Sequence, residues 1–342
     1  MKNIFLLLSS LLIINCKSST VIMNNDNPSQ NVIPEPSKSD VIMATKTDKT
    51  LNFVTSEELK ASVTYLASDE LQGRNTGSEG IAKAADYIEA QFKAYGVKPY
   101  FESYRDNYTI GDINAFNVIG FVEGNDPQLK NEIIILGAHY DHIGFGKMVE
   151  GDSIANGAND DASGTAGVMA MARYFASQKN NKRSIMFTLY SGEEMGLKGS
   201  MHLAERLKEA NVDIYTMINF EMIGVPMENK EYDAYFTGFD LSNMAPKLNE
   251  YVDANLLGLL PQAKEYKLFY RSDNYSFYKA FKKPCHAIST FDFTNYNYYH
   301  HVDDEADQMN YEFMAQLINK MLPAFEAMSN TPTKEIVMND TE

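Results

Sequence analysis

The chain has 342 residues, 30 Lys and Arg against 46 Asp and Glu, and a formal net charge of −16. Its composition, 44% hydrophobic and 22% charged, supplies a sizeable core, so disorder is only local and one large α/β domain with a tail is the simplest reading of the length. A polyanion of this kind repels phosphate backbones, which argues against nucleic acid as a partner.

The chain opens on Met1-Lys2-Asn3 and an apolar run from Ile4 to Ile14, broken only by Ser9 and Ser10. A bilayer core of about 30 Å needs roughly 20 helical residues, so this run is too short to span it and reads as a signal peptide over residues 1–15. The sequence Ile13-Ile14-Asn15-Cys16 resembles a bacterial lipobox, although Asn15 replaces the small residue usual before the cysteine. That resemblance implies an exported envelope protein, on the periplasmic side or the outer-membrane surface, that touches the membrane only through a lipid on Cys16. A cleaved secretory signal without lipid is the alternative. Cys285 is then the only thiol left, so no internal disulfide can form and Cys285 reads as a buried small hydrophobe.

Residues 16–55, rich in Ser, Asn, Asp, Thr and Pro, read as a flexible tether. Thr55 and Glu58 make a capping box, and Leu59, Val63 and Leu66 follow at helical spacing, so the folded domain is set at 56–330 with a C-terminal tail over 331–342. A second helix follows Ser78, with Ile81, Ala85, Ile88, Phe92 and Tyr95 on one stripe and Gly96 as its stop. Strands are expected over 132–136, 184–190, 215–220 and 286–290. Helices are expected over 164–177, 196–209, 241–254 and 311–328. This alternation predicts an α/β fold with a mainly parallel, mixed central sheet and helices on both faces. In such sheets sites form beyond the carboxyl ends of the strands.

Five clusters fall at those ends. Gly137-Ala138-His139-Tyr140-Asp141-His142 offers an imidazole at His139 that can bind metal, with Asp141 close enough to fix its tautomer. In Gly157-Ala158-Asn159-Asp160-Asp161-Ala162-Ser163-Gly164, the carboxylates Asp160 and Asp161 precede a helix, where they suit either capping or metal bridging. Ser191-Gly192-Glu193-Glu194-Met195-Gly196 pairs two glutamates, one to bind metal and one to act as a base on water. Asn219-Phe220-Glu221-Met222 ends another strand on a carboxylate. Tyr298-Tyr299-His300-His301-Val302-Asp303-Asp304 supplies a further imidazole.

This order of motifs resembles the bacterial co-catalytic zinc aminopeptidases, which share their fold with glutamate carboxypeptidases and glutaminyl cyclases; the resemblance covers roughly residues 56–328. It implies a zinc aminopeptidase-like (phosphorylase/hydrolase-like) single domain, two zinc ions per chain and peptide substrates. By that resemblance Asp160 bridges, His139 and Glu221 hold one zinc, and Glu194 and His300 hold the other. Glu193 matches the general base, Tyr299 a tyrosine that steadies the oxyanion, and Asp141 the partner of the first histidine, with Asp161 also behind the ligands. Two departures stand out: Glu221 replaces the usual aspartate, and Asn274 in Arg271-Ser272-Asp273-Asn274 replaces a histidine. A one-zinc glutaminyl cyclase-like acyltransferase and a carboxypeptidase using Arg271 are the alternatives to an aminopeptidase. The motifs of serine hydrolases, His-Glu-x-x-His metalloproteases and dinucleotide-binding proteins are missing from the sequence.

Overall fold

A computed structural model describes residues 52–340, all of which fall within one compact unit. The signal peptide, Cys16 and most of the tether lie outside the described residues.

Half of the expected capping box forms, the Glu58 carboxylate accepting from Arg173 Nε and Nη2. Thr55 Oγ1 accepts a hydrogen bond from Glu58 N at 3.2 Å and opens α1 (Ser56–Leu66). Ser78 Oγ accepts from Ile81 N to open α2 (Glu79–Tyr95), which stops at Gly96 in the left-handed region. Between Gly96 and Glu132, where the sequence pattern assigns no element, the chain builds β1 (Lys98–Pro99), β2 (Arg105–Ile110) and β3 (Ile113–Val122). The alternation that would have revealed the hairpin is hidden by buried polar residues. Asp106 and Asn117 are both buried and bonded to each other at 3.0 Å, with Arg206 Nη1 also donating to Asp106.

Of the remaining elements, those beginning at Glu132, Gly164, Ser184, Lys198, Asp213, Met244, Cys285 and Tyr311 follow the expected alternation, and the others have no counterpart in the sequence pattern. In chain order the remaining elements are β4 (Glu132–His139), the hairpin β5 (Gly144–Val149) and β6 (Asp152–Ala155), α3 (Gly164–Gln178), β7 (Ser184–Tyr190), α4 (Lys198–Glu209) and β8 (Asp213–Glu221). Then come β9 (Ala234–Phe236), α5 (Met244–Val252), β10 (Leu257–Gly258), α6 (Pro261–Glu265), α7 (Asn274–Phe281), β11 (Cys285–Ser289) and α8 (Tyr311–Asn330).

The main sheet runs β1-β3-β7-β4-β8-β11-β9-β10, with β2 also on β3. Its centre, β7-β4-β8-β11, is parallel, while β3 on β7 and β9 on β11 are antiparallel. Strand alternation sorts the core into two layers. Ile134, Leu136, Ile185, Phe187, Ile218 and Phe220 pack toward α1, α2, α3 and α8. Ile133, Ile135, Met186 and Met217 face Leu203 and Leu207 of α4 and Phe277 of α7. The register between β4 and β8 slips once: Ile133 faces Ile214 but Ile134 faces Thr216, leaving Tyr215 as an extra residue in β8.

Candidate metal and catalytic centre

Three of the five clusters leave the parallel centre at the carboxyl ends of β4, β7 and β8, and the other two lie in loops folded over that edge. Parallel pairing brings the ends level, so His139, the last residue of β4, and Glu221, the last of β8, meet with Nε2 and Oε1 3.4 Å apart. Between β6 and α3 the chain makes a wide irregular turn over Ala158–Ser163 that carries Asp160 and Asp161 inward, joined by a cis peptide.

Asp160 lies at the centre. Its Oδ1 is 3.2 Å from His139 Nε2, and its Oδ2 is 3.2 Å from His300 Nε2. His300 Nε2 also lies 3.1 Å from Glu194 Oε1. The structure therefore brings together all of His139, Asp160, Glu194, Glu221 and His300. Two separate groups of donor atoms are compact enough to hold a cation: His139 with Asp161 and Glu221, and His142 with Asp160 and Glu194. Asp161 stands closer to the donor atoms than a supporting position requires. Its Oδ1 accepts from Gly164 N at 3.1 Å and Met222 N at 2.9 Å, while Oδ2 is buried without a hydrogen bond.

Asp141 fixes its surroundings in two ways. Its main-chain carbonyl accepts from His139 Nδ1 at 3.1 Å, which leaves Nε2 facing Asp160 and Glu221, while its carboxylate is 3.6 Å from that nitrogen. The carboxylate instead accepts from Thr76 Oγ1 at 3.0 Å and Glu193 N at 3.2 Å, tying the glutamate pair to the β4 end. On the other side Ser272 Oγ donates to Glu221 Oε2 at 2.7 Å and accepts from Asn219 Nδ2 at 2.8 Å. The longer side chain of Glu221 is thereby clamped. Asn274 turns away from this cluster; its amide donates to the carbonyls of Phe269 and Cys285.

Several supporting residues carried no signal in the sequence. Arg74 is fully buried and donates to the carbonyls of Tyr140, Leu66, Asn156 and Gly157 at 2.8, 2.5, 2.5 and 2.8 Å, stapling the β4 loop to the Asp160 turn. Asp304 accepts from Asn159 N, Asp160 N and Tyr296 OH at 2.7, 3.1 and 2.6 Å. His142 is buried beside Glu194. Only the spacing His139-x-x-His142 could have flagged any of these.

The electrostatics reflect crowded carboxylates. Burial alone would lower the His139 pKa, but Glu221, Glu193, Asp141 and Asp160 together hold it well above the usual range. Burial likewise opposes charge on His300, yet Asp160 and Glu194 lift it to about 10. Burial, with Glu221 and Asp273 nearby, pushes Glu193 well up despite His139. Asp161 is raised by burial and then by Glu221. Burial opposes charge on Asp160, but hydrogen bonds from His139 and His300 hold it well below the carboxylate range. So dense a set of acids is stable when positive charge sits among them. Buried atoms without hydrogen bonds, Asp161 Oδ2 and Glu194 Oε1 among them, fit bound divalent cations.

Tyr299 is 42% exposed and stacks on the His300 ring with centroids 4.1 Å apart. It borders a cavity of about 70 Å³ whose walls include Glu221, Tyr235, Arg271, Phe291 and Phe293. The centre thus opens onto an apolar pocket with a carboxylate and a guanidinium at its margins.

A family model described as "Peptidase family M28" matches residues 117–324. A protein of Pyrenophora teres f. teres (strain 0-1) described as a probable zinc metalloprotease is 30% identical over 228 residues, covering 61% of this chain and 45% of its own length. The chain therefore spans about half the length of the curated relatives it matches. Among solved structures, the LapA aminopeptidase of Legionella pneumophila is similar with a TM-score of 0.65 and 20% identity, over 88% of this chain and 79% of that one. A glutaminyl cyclase of Porphyromonas gingivalis is similar with a TM-score of 0.63 and 16% identity, over 81% and 99%. At those identities the likeness is one of fold.

Proposed function

The chain belongs to peptidase family M28, and from that premise we propose that it is a zinc-dependent exopeptidase, specifically an aminopeptidase removing N-terminal residues from peptides. The observation that carries the reading is the divided carboxylate of Asp160, one oxygen toward His139 and the other toward His300. His139 and Glu221 would hold one zinc, Glu194 and His300 the other, and Asp160 both. Metal in such a pair polarises a scissile carbonyl and brings the pKa of water toward neutrality. The glutaminyl cyclase-like alternative needs one zinc, and a divided Asp160 with donors on each side favours two.

Glu193 is the general base. Its backbone is held by Asp141, its carboxyl is raised toward proton-accepting range by burial, and it accepts the proton of the attacking water before passing it to the departing amine. The Tyr299 hydroxyl, at the pocket mouth, steadies the oxygen on which charge develops. Glu221 and its neighbouring carboxylates orient the free amine of the substrate, and Phe291 and Phe293 wall the side-chain pocket. Arg271 at the same pocket is what a carboxypeptidase would use for a terminal carboxylate, so direction is decided by assay.

Zinc-loaded protein is tested against aminoacyl, N-blocked and carboxy-terminal substrates. Release from free-amine substrates alone is expected. Turnover of N-blocked peptides from their carboxyl end, or cyclisation of N-terminal glutamine with saturation at one zinc, would replace the aminopeptidase reading. The N-terminal lipid and envelope location belong to the same proposal: Cys16→Ser should move the protein from the membrane to the soluble fraction, and retention after a salt wash would refute it.

A further inference from the structure

His142 has no part in the assignments above, yet its environment is that of a ligand. It is 1% exposed, and neither ring nitrogen makes a hydrogen bond. An imidazole left so in a protein interior forfeits its desolvation cost at both nitrogens. Its Nδ1 lies 3.2 Å from Glu194 Oε1 and 3.8 Å from Asp160 Oδ2. His300 Nε2 approaches the same two oxygens at 3.1 and 3.2 Å. Zinc bonded at about 2.0–2.2 Å in a tetrahedron separates its ligands by about 3.3–3.6 Å, and these four separations straddle that value.

The ring is held in this place by backbone. Gly157 has φ +62°, and a Cβ there would stand 2.5 Å from His142 Cγ and 2.4 Å from the Asp160 carbonyl oxygen. His142 and His300 meet edge to face with centroids 5.6 Å apart, converging on one point from two loops.

We propose that His142 is a further protein ligand, through Nδ1, of the zinc held by Asp160, Glu194 and His300. That site then has four protein ligands, the closed arrangement of a tightly held ion, and the His139–Glu221 side keeps the open position. The pair is unequal: one ion chiefly fixes the architecture and its neighbour faces the reaction.

The inference rests on the two-zinc reading, and the test separates the two. Protein labelled with ¹⁵N-histidine and loaded with zinc is studied by long-range ¹H–¹⁵N correlation, which reports the tautomer and metal ligation of each ring. Three ligated imidazoles are expected, His142 through Nδ1 and His139 and His300 through Nε2, with the His142 signals assigned by their loss in His142→Ala. Chelator competition should show His142→Ala weakening one of two zinc ions by more than about 10-fold, the lower end for loss of a mere supporting partner. Two zinc ions with only two ligated imidazoles would overturn the His142 assignment and leave the two-zinc reading intact. Saturation of the wild-type chain at one zinc would overturn both. The wild-type spectrum decides even if the variant does not fold.

Discussion

Ser272→Ala isolates what the clamp on Glu221 contributes. The hydroxyl is 4% exposed and donates to Glu221 Oε2 at 2.7 Å. A hydrogen bond to a charged group contributes about 1.5–3 kcal/mol, and a tenfold change in affinity corresponds to about 1.4 kcal/mol. If the bond orients the carboxylate for metal, its loss should weaken the zinc on the His139–Glu221 side by about 10- to 100-fold, the range typical of supporting partners. The other ion, whose donors do not touch Ser272, should keep its affinity. The substitution also removes the acceptor of Asn219 Nδ2, a fully buried amide whose Oδ1 already lacks a hydrogen bond. The metal-free protein should therefore lose about 1–3 kcal/mol of stability. Chelator competition reads the first effect and urea denaturation in excess chelator reads the second. Reduced stability with both zinc affinities within about twofold of wild type would refute the clamp and leave Ser272 a packing residue.

Glu193→Gln should lower turnover by about 10²–10⁴-fold with zinc content unchanged. Glu194→Gln should instead lose zinc first and recover partly in excess zinc, so metal analysis beside rates would expose reversed roles. Arg74→Met strips the donor from four main-chain carbonyls and should cost at least about 3 kcal/mol in urea denaturation; a smaller loss means water replaces the guanidinium. His286 is buried, its Nδ1 donating to the Thr237 carbonyl and its Nε2 accepting from Ser242, and burial lowers its pKa to about 4. The unfolded chain takes up this proton near pH 6.5 and the folded chain only near 4, so the stability it contributes is full above about 6.5 and falls as pH drops through that window, by about 3 kcal/mol in all. The melting-temperature advantage of wild type over His286→Gln, measured in chelator, should narrow from pH 7.5 to 4.5; a constant gap would contradict the assignment.

The parallel centre and the donor set were legible because their signals are local. Each of His139, Glu194 and Glu221 ends or follows an apolar strand, and Asp160 precedes a helix, so contiguous residues carry both the element and the chemistry. What was illegible depends on folding-back. Asp106 and Asn117 hide the β2–β3 hairpin because they face inward yet are polar, satisfied by each other and by Arg206. Arg74 and Asp304 work through main-chain groups far along the chain, so no spacing reveals them. His142 shares a motif with His139, but only folding packs the Gly157 turn against its ring and brings that ring beside Glu194.

The extra residue at Tyr215 gives β8 the character of a vernier. Below it Ile214 stands beside Ile133; above it every residue is displaced by one, so that Asn219 stands beside Gly137 and Glu221 shares a face with His139. One residue of slip moves a strand by about 3.3 Å and turns each side chain to the opposite face. The carboxylate that meets His139 is therefore indexed at the far end of its strand, where Tyr215 OH accepts from Ile336 N and Arg183 lies over the ring. Closing the bulge with no residue lost, so that Tyr215 pairs with Ile134, would bring Phe220 beside His139 and turn Glu221 to the opposite face, silencing the centre from a distance without touching a single donor.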